Sequence, residues 1–78
     1  MALYDDLHAL VAELSRGKTS LADLRSWLED HVDEVMESDD KRLLELDGLA
    51  WTLIGELDRG DRDEASVRSE LGAVAALP

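Results

Sequence analysis

Apolar residues recur at steps of three and four along nearly the whole chain, and only three short breaks interrupt them. A period near 3.6 puts such residues on one face of a helix, whereas a strand would need strict alternation. The breaks fall at Gly17-Lys18-Thr19, around Ser38-Asp39-Asp40 and at Arg59-Gly60-Asp61. They divide the chain into four helical segments.

The first segment carries Leu3, Leu7, Leu10 and Leu14 on one face and ends at Arg16 and Gly17, a helix stop. The second opens with Ser20 and Asp23, spaced as a capping box, and continues with Leu21, Leu24, Leu28, Val32 and Val35 as its buried stripe. The third starts at Asp39 or Asp40 and carries Leu43, Leu46, Leu49, Ala50, Leu53, Ile54 and Leu57 to a stop at Arg59-Gly60. The fourth opens with Asp61 and Glu64 as a D-x-x-E cap and has a thinner stripe of Val67, Leu71 and Val74, weakened by Gly72.

The expected fold is an all-α antiparallel bundle forming a single domain over residues 1–78. It has three long helices, at about 3–16, 20–37 and 40–58. A shorter C-terminal helix, the one most prone to fraying, follows at about 62–76. Composition agrees: Leu and Ala dominate the apolar set, Phe is absent, and strand-forming residues are scarce. With 45% hydrophobic residues the chain has enough apolar side chains for a core, despite 35% charged residues. There is no Cys, which excludes disulfides and thiolate metal sites, so oligomerisation is the expected support for so small a core. No apolar run is long enough to span a bilayer, and the N-terminus lacks a basic leader. The chain is expected to be cytoplasmic.

The net charge of −11 disfavours direct binding to nucleic-acid phosphates or anionic membranes. It is also unevenly placed. Glu29, Asp30, Asp33, Glu34, Glu37, Asp39 and Asp40 fall in one twelve-residue stretch that has no Lys or Arg. On a helix running from 20 to 37 this stretch occupies the C-terminal half, where acids oppose the helix dipole. Such a violation points to a surface that attracts a basic partner. The competing expectation is a solvated face, with Asp39 or Asp40 serving as a cap. Trp27 lies about 100° from the stripe of the second segment, beside Asp23, Asp30 and Glu34, and suits an interface anchor. The bland alternative is a Trp folded over the edge of the core.

A second feature is Leu44, Gly48, Trp51 and Gly55, spaced 4, 3, 4 on a separate face of the third helix. Two interior glycines weaken a helix by about 1 kcal/mol each but permit close backbone approach. Packing against another helix of the same chain is the first expectation for this face, and self-association is the second.

Catalytic and metal chemistry find little support. His8 and His31 are the only imidazoles. Asp5-x-x-His8 and His31-x-x-Glu34 do not reproduce the paired Glu-x-x-His pattern of carboxylate-bridged metal bundles. No phosphate-binding glycine loop or nucleophile elbow occurs. The sequence therefore predicts no enzyme, cofactor or metal. It predicts an acidic protein-binding module of the kind that inhibits a nuclease, as immunity proteins and antitoxins do, or mimics nucleic-acid charge. The alternative is a small structural homo-oligomer. The predicted partner surface is Asp23, Trp27, Asp30, Asp33, Glu34, Glu37, Asp39 and Asp40. The predicted self-association face is Leu44, Gly48, Trp51 and Gly55.

Overall fold

The computed structural model describes residues 2–76. Among them there are five helices and no strand: α1 (Leu3–Ser15), α2 (Leu21–Asp30), α3 (Val32–Met36), α4 (Lys41–Asp58) and α5 (Glu64–Ala75). All five contribute to one core, built from Leu7, Val11 and Leu14 of α1, Leu21, Leu24 and Leu28 of α2, Val35 of α3, five residues of α4, and Val67 and Leu71 of α5. The Cα radius of gyration, 11.7 Å, is close to the roughly 11.5 Å of a folded chain this long. No helix among the described residues is long and apolar enough to cross a membrane.

The helix ends follow local chemistry. Gly17 (φ 75°) and Gly60 (φ 79°) adopt the left-handed conformation just beyond α1 and α4. At each, two backbone bonds close the helix: Gly17 N–H to Leu14 C=O and Lys18 N–H to Glu13 C=O, then Gly60 N–H to Leu57 C=O and Asp61 N–H to Glu56 C=O. At the start of α2, Ser20 Oγ accepts from Asp23 N–H (3.2 Å) while Asp23 Oδ2 accepts from Ser20 N–H (3.3 Å), completing the expected capping box. Asp40, rather than Asp39, caps α4 by accepting from Arg42 N–H at 3.0 Å. At α5 the cap is Asp63, which accepts from Ser66 N–H at 2.8 Å, and not the expected Asp61. Asp61 instead meets Arg59 at 3.2 Å.

The second segment departs most from expectation. The helix anticipated over 20–37 stops at Asp30 and restarts at Val32. His31 sits between the two with φ −113° and ψ 12°, outside the helical region. Its backbone N–H (3.1 Å) and its ring Nδ1 (2.7 Å) both bond the carbonyl of Trp27. Beyond the break, Val35 N–H bonds His31 C=O at 2.9 Å. This break rotates α3 about its axis. Val35 remains buried, but Val32, expected in the stripe, turns outward and is 38% exposed.

The fourth segment is neither the shortest helix nor loosely held. At 12 residues α5 is longer than α2 and nearly matches α1. It packs along α1 more extensively than any other two helices pack together. Gly72 explains the closeness, because a Cβ there would stand 2.9 Å from Ser15 Cβ. The glycine that weakens α5 locally is what lets α5 dock.

Candidate functional site

The break at His31 changes what the acidic stretch is. Glu29 and Asp30 close α2, and Asp33 and Glu34 fall in the first turn of α3. Acids in a first turn complement the helix dipole, so that pair no longer violates it. Glu37 is the residue that ends α3, Asp39 lies in the linker and Asp40 caps α4. The unfavourable end effect expected of seven acids shrinks to Glu29, Asp30 and Glu37.

What remains is a run of exposed acids without partners. Glu29, Asp30, Asp33, Glu34, Glu37 and Asp39 are all exposed. Among the described residues none lies within 4 Å of a Lys or Arg, whereas acids elsewhere form ion pairs with Arg25, Arg59, Arg62 and Arg68. Arg25 is one turn before Glu29, but its guanidinium bonds Asp58 of α4 at 2.7 Å instead. That hydrogen bond, chiefly, raises the Arg25 pKa. Asp40 is the exception within the stretch. Burial pushes its carboxyl up, but the Arg42 guanidinium and the backbone N–H groups of Arg42 and Leu43 outweigh this and hold it below its usual value.

Three large apolar side chains are exposed among the described residues, and two of them, Val32 (38%) and Met36 (77%), lie one turn apart on α3. The helical repeat places Val32 inward and gives Met36 no role, so periodicity alone does not reveal this pair. The available signal was His31, whose side chain can bond a carbonyl at a helix end and so break the repeat before Val32.

The remaining predicted site residues are placed as follows. Asp23 is exposed but committed to the capping box, and Thr19 Oγ1 also donates to it at 2.7 Å. That bond, with those from Ser20, lowers its pKa. Trp27 is half-buried against the core, with the His31 ring stacked on it at 4.1 Å. Its ring is thus partly occupied within the chain. On α4, Leu44 is 42% exposed and Trp51 is half-buried against the core. A Cβ on Gly48 would meet nothing within 4 Å, and one on Gly55 would meet only the Arg59 side chain. The expectation that another helix of this chain packs on that face is therefore wrong at both glycines.

The two imidazoles serve separate helix ends. His8 Nε2 bonds the carbonyl of Ala75 at 2.8 Å, tying α1 to the last turn of α5, while His31 bonds Trp27. No group of three His, Asp or Glu side chains among the described residues could hold a metal ion. The molecule thus belongs to the class of small all-α bundles, with an acidic helical corner around two exposed apolar side chains. No family model matches the chain, and no curated protein or solved structure does either.

Proposed function

We propose that the chain is a non-enzymatic protein-binding module whose docking surface is α3 and its flanks. The supporting observation is the juxtaposition on α3 of exposed Val32 and Met36 with acids that have no cationic partner. Protein interfaces combine an apolar centre with a polar rim. Met suits the centre because its flexible thioether adapts to a partner. Glu29, Asp30, Asp33, Glu34, Glu37 and Asp39 form the rim and select a basic partner through electrostatic attraction. This revises the predicted anchor. Met36 and Val32 take the central role first given to Trp27, and Trp27 with His31 supports the surface from below. A partner with an apolar knob ringed by Lys or Arg fits, which includes the basic site of a nucleic-acid-binding enzyme.

The test is a titration of the labelled chain with a lysine-rich amphipathic helical peptide, followed by amide chemical shifts. Shifts should centre on residues 29–37 and weaken steeply with salt. The Asp30→Lys/Glu34→Lys pair should lower affinity by about tenfold or more, and so should Met36→Ser. Shifts spread evenly over every acid, including Asp5 and Asp6, would sink the reading.

A second reading has its own observation. The Leu44, Gly48, Trp51 and Gly55 face is uncovered within the chain, and Leu44 is exposed. It fits a homo-oligomer formed through α4. Sedimentation across micromolar concentrations distinguishes the two readings: a chain that stays monomeric removes this one and leaves the first intact.

A further inference from the structure

The N-terminal turns of α1 and α4 and the C-terminal turn of α5 enclose an open cleft of about 320 Å³. Leu46, Leu49 and Val74 supply its apolar lining, and Tyr4 and His8 line it from α1. Arg42 and Glu45, one turn apart on α4, carry opposite charges at its rim. They do not pair with each other. The Arg42 guanidinium lies over the Tyr4 ring at 4.4 Å, and its Nε and Nη2 each reach back to the Asp40 carboxylate at 3.5 Å, which leaves Nη1 without a hydrogen bond among the described residues. Cation–π stacking fixes the guanidinium plane while leaving edge N–H groups free to donate. His8 is fixed as well. Its Nε2 donates to Ala75 C=O, so in the neutral ring Nδ1 is left as an acceptor. None of the lining side chains belongs to α3, and the one link to the acidic stretch is the Arg42–Asp40 pair, so the cleft is separate from the docking surface on α3.

We propose that this cleft binds a small zwitterion with an apolar body, such as a free aromatic α-amino acid. Its carboxylate would lie on Arg42, its ammonium on Glu45 and its side chain over Leu46, Leu49 and Val74. The size fits, since small-molecule sites start at about 300 Å³. The charge fits too. A net charge of −11 repels free anions, and Glu45 at the rim adds to that, whereas a zwitterion carries no net charge to be repelled. A simple amine would gain Glu45 but leave Arg42 Nη1 without an acceptor.

Amide shifts of the full labelled chain, titrated with L-phenylalanine, 3-phenylpropionate and phenethylamine, test the assignment. L-phenylalanine should saturate, with shifts at Tyr4, His8, Leu46, Leu49 and Val74, at millimolar or lower concentration. Each single-charge analogue should bind about threefold or more weaker. Arg42→Gln and Glu45→Gln should each weaken L-phenylalanine similarly, while Glu45→Gln leaves 3-phenylpropionate no weaker. The proposal is overturned if L-phenylalanine fails to saturate by about 20 mM. It is also overturned if the shifts lie elsewhere, or if either analogue binds as well. The analogue comparison uses the unaltered chain, so it decides the matter even if a variant fails to fold.

Discussion

The His31 ring lies nearly parallel to that of Trp27, 18° between planes and 4.1 Å between centroids, and its Nδ1 bonds the Trp27 carbonyl at 2.7 Å. One side chain thereby stacks on a residue and also takes the hydrogen-bonding capacity of that residue's backbone. The regular helix stops at Asp30, and the chain turns before α3. The outward Val32 follows from this turn, and with it the apolar centre of the proposed docking surface.

His31→Ala should let α2 run into α3. In the native chain the helix is interrupted at His31, between α2 and α3. Ladder bonds gained across the break against one side-chain bond and a stack lost should change stability by no more than about 1 kcal/mol. The visible effects should be higher helical ellipticity and slower hydrogen exchange at the amides of Val32, Asp33 and Glu34. Fast exchange there in the variant would show that His31 is not the cause of the break.

Gly72 and Gly48 should respond oppositely to alanine. At Gly72 the new Cβ meets Ser15 Cβ at 2.9 Å, so the closest helix pair must separate. Overpacking of that kind costs about 1–3 kcal/mol, which outweighs the helix-propensity gain of about 1 kcal/mol. Ser15→Gly in the same chain should restore most of the loss. At Gly48 no atom stands in the way. Gly48→Ala should stabilise by about 0.5–1 kcal/mol, read from urea midpoints. A destabilised Gly48→Ala chain would instead indicate that a second copy covers that face.

The contrast shows which features the sequence carried. Caps and stops rest on contacts within a few residues, so Ser20 with Asp23, Gly17 and Gly60 were readable from spacing alone. In α1 the leucine repeat passes over the fully buried Val11, and Leu3 and Leu10 are only partly buried. The stripes of α4 and α5 were readable because each keeps one phase from end to end. The second segment was not, because one histidine resets its phase and no periodicity count sees a side chain bonding a carbonyl. The glycines failed for a related reason. Gly72 and Gly48 look alike in a helical repeat, and only the distance to Ser15 separates a close-approach glycine from an open one. Of the predicted partner surface, Asp23, Asp30, Asp33, Glu34, Glu37 and Asp39 are exposed while Asp40 is half-buried as a cap, and the apolar centre depended on that phase reset.

Asp47 should be a site where removing a charge helps. It is half-buried on α4, its Oδ1 has no hydrogen-bond partner among the described residues, and burial raises its carboxyl above 3.8. A folded-state value above the unfolded one means that stability falls as pH rises through that interval. At neutral pH the penalty is fully present. Asp47→Asn should therefore stabilise by about 0.5–1 kcal/mol at pH 7, a rise of about 2–8 °C in Tm. The gain should shrink below about pH 4, where both side chains are neutral. An equal gain at both pH values would trace the effect to something other than charge.

Asp40 should show the reverse dependence. Its folded-state carboxyl is held below 3.8, because the Arg42 guanidinium and the backbone N–H groups of Arg42 and Leu43 outweigh burial. The unfolded chain then binds the proton more readily, so the stabilisation is complete above the unfolded value and is lost as pH falls through the folded one. Asp23 shifts the same way, chiefly through the Thr19 hydroxyl, and adds to the acid sensitivity. Asn caps a helix about as well as Asp but does not titrate. Asp40→Asn should therefore be less stable than the native chain at neutral pH and equally stable in acid. Its Tm should fall less between about pH 5 and about pH 2. Two melting profiles that stay parallel over that range would remove Asp40 from the acid response and leave its role as a neutral cap.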